Sequence, residues 1–373
     1  MNSKKIFTLL LALGLLWSCD KKKDEPQQSS EGFSLEAEAD ADALGLKGLR
    51  GAFQFDVKDR VKLKMVPKVE SFKTHAFFRH RLKPDVLGYA EINWTISDYD
   101  ATTNKVKLKF RTKNLKVEKI GPSYNPANQE YLTIVANEDE NNPYWFVAGV
   151  MGAPDSWVNK KTGRVHFKAM PTASEGSKAD GDKEISQEIH APLLSTFTQI
   201  QPDFRSNPKN LKKGRIHKWR FLARGMMIRI RLDNDTDINL NNAPIRLSST
   251  DNSLVGDAQI GFSSTDVPRV DLLSEKSSPK FIFDTSKPPT LKITQPKGKQ
   301  DVTHMLWAIS KNSNNQTPPG VRAFITPSPS IGEKPLGRQG VAYGTPEYNL
   351  ETKIVMKNNT SWLMEVEIFI PKP

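Results

Sequence analysis

Apolar residues recur along this chain at every second position and not at the three-to-four spacing of a helix. Val61-Lys62-Leu63-Lys64-Met65, Val106-Lys107-Leu108-Lys109-Phe110 and Ile228-Arg229-Ile230-Arg231-Leu232 alternate strictly, and Ile92, Trp94 and Ile96 repeat the pattern. Side chains of an extended chain point to opposite faces in turn, so each run puts an apolar face on a core and Lys or Arg on the other side. Further strand candidates are 131–135, 144–150, 165–169, 244–247, 281–283, 291–293, 305–309, 321–325, 348–356 and 362–370, with Pro, Gly, Asn, Asp and Ser between them. Past residue 18 no stretch of eleven or more residues has helical periodicity. The pattern predicts an all-β chain built as antiparallel β-sandwiches.

With 373 residues, the chain is long enough for about two domains. The polar stretch 172–184 and the Pro-rich basic stretch 202–213 are breaks. We place the division at the second, giving domains 51–212 and 213–373.

Met1 to Ser18 has the shape of a secretory signal: Lys4 and Lys5, then an apolar run from Ile6 to Trp17 that is short for a membrane span. Leu16-Trp17-Ser18-Cys19 resembles the lipobox of bacterial lipoproteins, and the single Cys of the chain falls at its invariant position. The resemblance implies that a lipoprotein signal peptidase removes residues 1–18 and that Cys19 carries palmitate-type acyl chains in the outer membrane. The alternative is an ordinary signal peptide with an incidental Cys. The charged run from Asp20 to Glu25 resembles the surface-export signal of Bacteroidetes lipoproteins, and the Gln-Ser run behind it reads as a tether. Residues 31–50 hold Phe33-Ser34-Leu35 and then Glu36-Ala37-Glu38-Ala39-Asp40-Ala41-Asp42, which suits a helix start, an edge strand or no fixed structure. Residues 19–50 carry five basic and eight acidic side chains. A basic residue among small ones, at Leu49-Arg50-Gly51, is an open protease site.

Catalytic constellations are missing. The chain has no His-Glu-x-x-His, Gly-x-Ser-x-Gly, Gly-Lys-Ser/Thr or Gly-x-Gly-x-x-Gly motif, which argues against an enzyme, and no cofactor or metal is expected. His75 and His80, beside Arg79 and Arg81, read as an exposed loop. Asp233 to Asp237 resembles the start of a calcium loop, but Ile238 and Pro244 stand where Gly and Glu are needed, leaving a solvated turn between strands. The formal charge of +12 lies largely on strand faces, where it keeps sheets soluble; nucleic acid is not an expected partner.

Three segments resemble the Bacteroidales fimbrillin family of type V pilus subunits: Trp145 to Gly152, Ile189 to Ser195, and Arg220 to Leu232. They occur in the family's order, and the resemblance covers roughly residues 50–373. It implies two tandem transthyretin-like, Greek-key sandwiches behind a leader at 19–50. It also implies a structural or accessory role in a surface fimbria: an Arg- or Lys-specific protease removes the leader with the first strand, and a terminal strand of another subunit fills the groove. Arg50 is the cleavage candidate, with Lys47 and Arg60 as alternatives, and Phe33 and Leu35 would lie in the strand removed. The donor candidate is the last strand, with Trp362, Met364, Val366, Ile368 and Ile370 on one face. It stands immediately before Pro373 and could leave its sheet without dragging a loop; otherwise it is simply the last strand of its own sandwich. The implied partners are other pilus subunits, the outer membrane through Cys19, the processing proteases and a host surface ligand for adhesion. A reading from another class is a surface glycan binder with an aromatic platform drawn from Trp94, Trp145, Trp157, Trp307 and Tyr343.

Overall fold

The computed structural model describes residues 33–42, 49–55, 61–67, 71–100, 105–136, 145–151, 156–168, 172–173, 182–183, 192–203, 211–234, 237–270, 277–283, 288–299, 302–311, 322–335 and 363–369. The described residues from Phe33 onward belong to one compact unit; residues 1–32, with the signal segment and Cys19, lie outside the described residues. The regular structure among the described residues is all strand, with no α-helix.

The largest sheet closes on itself. Lys213–Ala223 pairs with Phe33–Asp42, which pairs with Lys105–Leu115; the path continues through Leu87–Asp100, Ser71–His80, Trp145–Met151 and Leu193–Leu194 and returns to Lys213–Ala223, a circuit of seven strands. Closure pairs both edges of every stave and fills the interior with the alternate side chains of each. Ile92, Trp94 and Leu108 are buried as the period of two requires. Trp145–Met151 is buried at every position, which suits a continuous apolar run covered on both faces. The interior is aromatic: Trp94 stacks edge-on against Trp219 and Phe221 at centroid distances of 5.5 and 6.0 Å. The Trp94 indole N–H donates to Thr74 Oγ1 at 2.8 Å, so its one polar atom is satisfied inside the core.

The division drawn at 212/213 falls ahead of a stave of this barrel. The change of sheet comes later, at Arg224-Gly225, where Gly225 takes φ 80° and turns the chain. Met226–Asp233 then pairs antiparallel with Val302–Ser310 and parallel with Leu363–Phe369. Leu240–Ser248 lies between Thr290–Gln295 and Arg322–Ile325. Two pairings tie early strands to late ones: Arg164–Lys168 with Asp257–Gly261, and Thr172–Ala173 with Val302–Ser310.

One local expectation is corrected. His75 and His80 lie on the Ser71–His80 strand and not on an exposed loop, because Ala76, Phe77 and Phe78 between them are core residues. Arg79 on the same strand is fully buried; its guanidinium donates to the carbonyls of Val267 and Pro84, and desolvation lowers its pKa to about 10. At the Asp233–Asp237 corner Asp237 is exposed, while buried Asn234 anchors the turn by donating through Nδ2 to the carbonyls of Ile238 at 2.9 Å and Pro296 at 3.0 Å. The 348–356 strand candidate lies outside the described residues.

Candidate functional site

The strand Phe33–Asp42 sits in the middle of the barrel wall, with a neighbour on each side. It runs parallel to Lys213–Ala223 and antiparallel to Lys105–Leu115. Of the three options left open for residues 31–50, a strand forms, and it is a central strand and not an edge. Glu, Asp and Ala have low strand propensity, so the neighbours decide the conformation.

Its inward face is apolar and closed off from water. Phe33, Leu35, Ala37 and Ala39 are 6, 1, 1 and 3% exposed. Register explains the change from large to small along this face. Leu35 lies opposite Gly214, whereas Ala37 lies between Ile216 and Phe110, and Ala39 between Trp219 and Leu108. Gly214 is required by close approach: a Cβ there would meet the Phe33 ring and would stand 2.7 Å from Ile200 Cγ2. A bulge in the parallel partner, where Lys218 takes φ 53°, keeps both Ile216 and Trp219 pointing inward.

Its outward face is acidic, and both neighbours are basic. Glu36, Glu38 and Asp40 lie opposite Arg111, Lys109 and Lys107 on one side; on the other, Glu36 faces Arg215 and Asp40 faces Arg220. Arg215 Nη2 stands 3.8 Å from Glu38 Oε1. Each such cross-strand pair contributes about 0.2–1 kcal/mol, so the charges act more on choice of partner than on stability. Removal of Phe33–Asp42 would leave an apolar slot between two unpaired strand edges, bordered by cations along both rims.

Arg50 lies on the next strand, Leu49–Phe55, where its backbone pairs with Val66 of Val61–Pro67. The alternatives Lys47 and Arg60 lie outside the described residues. In the candidate donor, Met364, Val366 and Ile368 pair with Ile228, Ile230 and Leu232, and Glu365 and Glu367 pair with Arg229 and Arg231. Trp362 and Ile370 lie outside the described residues. The last strand therefore occupies a place in its own sheet, held on one side among the described pairings. The sequence carried the outward acids and the inward Phe33 and Leu35, but no local signal showed that the lane between two basic strands was theirs.

Two of the aromatics offered for a platform face inward. Trp94 and Trp145 are core residues. Trp157 is 53% exposed and stacks on His166 at 5.4 Å, while the Trp307 side chain and Tyr343 lie outside the described residues. Among the described residues no group of His, Cys, Asp and Glu could hold a metal ion.

No family model matches the chain, and no curated protein matches it. Solved structures do. A candidate adhesin from Bacteroides ovatus is 9% identical with a TM-score of 0.38, over 91% of this chain and 89% of that one. The fimbrial anchor protein Mfa2 from Porphyromonas gingivalis is 9% identical with a TM-score of 0.31, over 90% of each chain. The tip fimbrial protein Mfa3 from the same organism is 9% identical with a TM-score of 0.31, over 91% and 95%.

Proposed function

We propose that the chain is a structural or accessory subunit of a surface pilus, made as a lipoprotein precursor anchored in the outer membrane at Cys19 and assembled by protease-triggered strand exchange. The observation that carries this reading is the place of Phe33–Asp42. A segment near the start of the chain, behind a polar tether, supplies a stave of the barrel whose inward face is buried, and a basic residue in a small-residue setting follows it at Arg50. A strand so placed can be cut free of the fold it completes. Loss of the strand would turn a closed wall into two open edges, and backbone hydrogen bonds from an incoming strand would close them again. The partner is another subunit of the same pilus, the working chemistry is association without catalysis, and adhesion to a host surface is the purpose served. The division into two tandem β-sandwiches belongs to the same reading, with the barrel as the first and the sheets built on Met226–Asp233 and Leu240–Ser248 as the second.

The test is N-terminal sequencing of the assembled surface form. Processing after Arg50 gives a chain starting at Gly51. Fibres whose subunits all start at Cys19 would overturn the exchange reading.

A further inference from the structure

We propose that Trp157 is the plate of a carbohydrate site that takes an uncharged hexopyranose ring. The proposal needs no step of strand exchange. Four strands form a small sheet in the order Trp157–Asn159, Arg164–Lys168, Asp257–Gly261 and Lys280–Ile282. Alternation sorts its two faces. Val165, Phe167, Ala258 and Ile260 are buried on the inner one. The row Trp157, His166, Gln259 and Ile282 crosses the other, paired strand to strand. On that outer face Arg164 donates through Nε and Nη2 to the Asp266 carboxylate at 3.2 and 3.1 Å. Polar side chains are what a solvated face calls for. Trp157, 53% exposed, is the one exposed large apolar side chain of this sheet among the described residues.

The indole is braced before any ligand arrives. It lies against the His166 imidazole with ring planes 10° apart and centroids 5.4 Å apart, and His166 Nε2 stands 3.3 Å from Asp257 Oδ1. The backbone is pinned at both ends of the strand. Ser156 Oγ lies 3.2 Å from His75 Nε2, and Asn159 Oδ1 accepts from the backbone N–H groups of Lys161 and Thr162 at 3.1 and 3.3 Å. A side chain already held in one rotamer gives up little entropy on binding. Trp157–Asn159 ends the sheet among the described pairings, so the indole face turned away from His166 meets water. Size and charge select the occupant. The exposed half of an indole offers about 100 Å², against about 800 Å² per partner in a stable protein interface. That area suits a single sugar ring. A pyranose carries C–H groups on its faces and hydroxyls round its rim; the faces match the electron-rich indole, and the rim matches the imidazole, amide and carboxylate groups about it. Arg164 with Asp266, and Asp257 with His166, are engaged with each other, so these groups can bond hydroxyls without demanding a charged ligand.

The test uses the full chain with Cys19→Ser and saturation-transfer NMR with lactose and cellobiose as probes, and choline chloride as competitor. Transfer to the sugar is expected for at least one disaccharide, strongest at the C–H protons of one ring face. Trp157→Ala should weaken binding about tenfold with the melting temperature unchanged, and Trp157→Phe should keep part of it. His166 is a positioning residue: His166→Phe should retain binding, and His166→Ala should weaken it. Absence of transfer to both sugars, or transfer that Trp157→Ala leaves intact, would overturn the proposal. So would displacement of the sugar by an equal concentration of choline, which would make the plate a cation site. The Trp157→Ala chain should be processed and form fibres as the parent does, so failure of the sugar site and failure of strand exchange are read separately.

Discussion

Truncation of Leu35 to Ala measures how firmly Phe33–Asp42 is held in the barrel wall. Leu35 is 1% exposed and points into the slot opposite Gly214. Leu→Ala in a packed core costs about 2–5 kcal/mol, from lost transfer free energy and the cavity left behind. At the lower part of that range, near 3 kcal/mol, the strand's hold weakens by a little over a hundredfold. In the intact chain the strand is tethered, so the loss appears as a lower melting temperature. After a cut at Arg50 the strand is held by non-covalent contacts alone, and the same free energy appears as faster release. The assay is limited digestion with an Arg-specific protease, followed over time by gel filtration and mass spectrometry of the retained leader. The parent should keep its leader, and Leu35→Ala should shed it about a hundredfold faster. Ser34→Ala serves as the control, because the Ser34 contact with Lys212 is a backbone hydrogen bond of 2.8 Å that the substitution leaves in place. Equal release from parent and Leu35→Ala would refute the claim that the inward face holds the strand.

Other outcomes follow from the same wall. Gly214→Ala places a methyl against the Phe33 ring and Ile200; a destabilisation of about 1–3 kcal/mol is expected by chemical denaturation, falling when Phe33→Ala is added. An unchanged midpoint would show that the ring has room. His75 is half-buried, with Tyr89 Oη at 2.9 Å and Ser156 Oγ at 3.2 Å from its ring nitrogens, and burial holds its pKa below the ordinary histidine value of 6.5. The unfolded chain therefore takes up the proton first, so this contribution to stability is intact above pH 6.5 and is lost as the pH falls below it. His75→Gln should flatten the loss between pH 6.5 and 5 in thermal melts, and an unaltered slope would assign that loss to other groups.

The all-β class was legible from side-chain alternation, since Ile92, Trp94 and Leu108 obey the period of two wherever one face meets the core. The strand at the candidate site was harder to see. Glu36 to Asp42 has the composition of a helix start or a loose linker, and only the flanking cations and the aromatic wall make it a strand. The circuit of the barrel was not legible at all. It depends on the parallel pairing of Phe33–Asp42 with a strand far along the chain and on the two-residue bridge Leu193–Leu194, neither of which leaves a local pattern. Arg79 misled for a related reason: its charge marks it as exposed, yet two backbone carbonyls and the Phe197 ring, 5.7 Å from the guanidinium carbon, give it a place inside.

The parallel pairing also orders events in time. Phe33–Asp42 can pair early with Lys105–Leu115, but its parallel edge stays open until Lys213–Ala223 has been made, so that edge waits for a segment synthesised much later. Contacts so distant in sequence are slow to form because loop closure has to precede them. Until then that edge stays open while hairpins such as Ser71–His80 with Leu87–Asp100 form locally, and the circuit closes along it last. A wall whose last seam to close runs along Phe33–Asp42 has most of its other pairings in place before that seam forms, which is the order the proposed exchange requires.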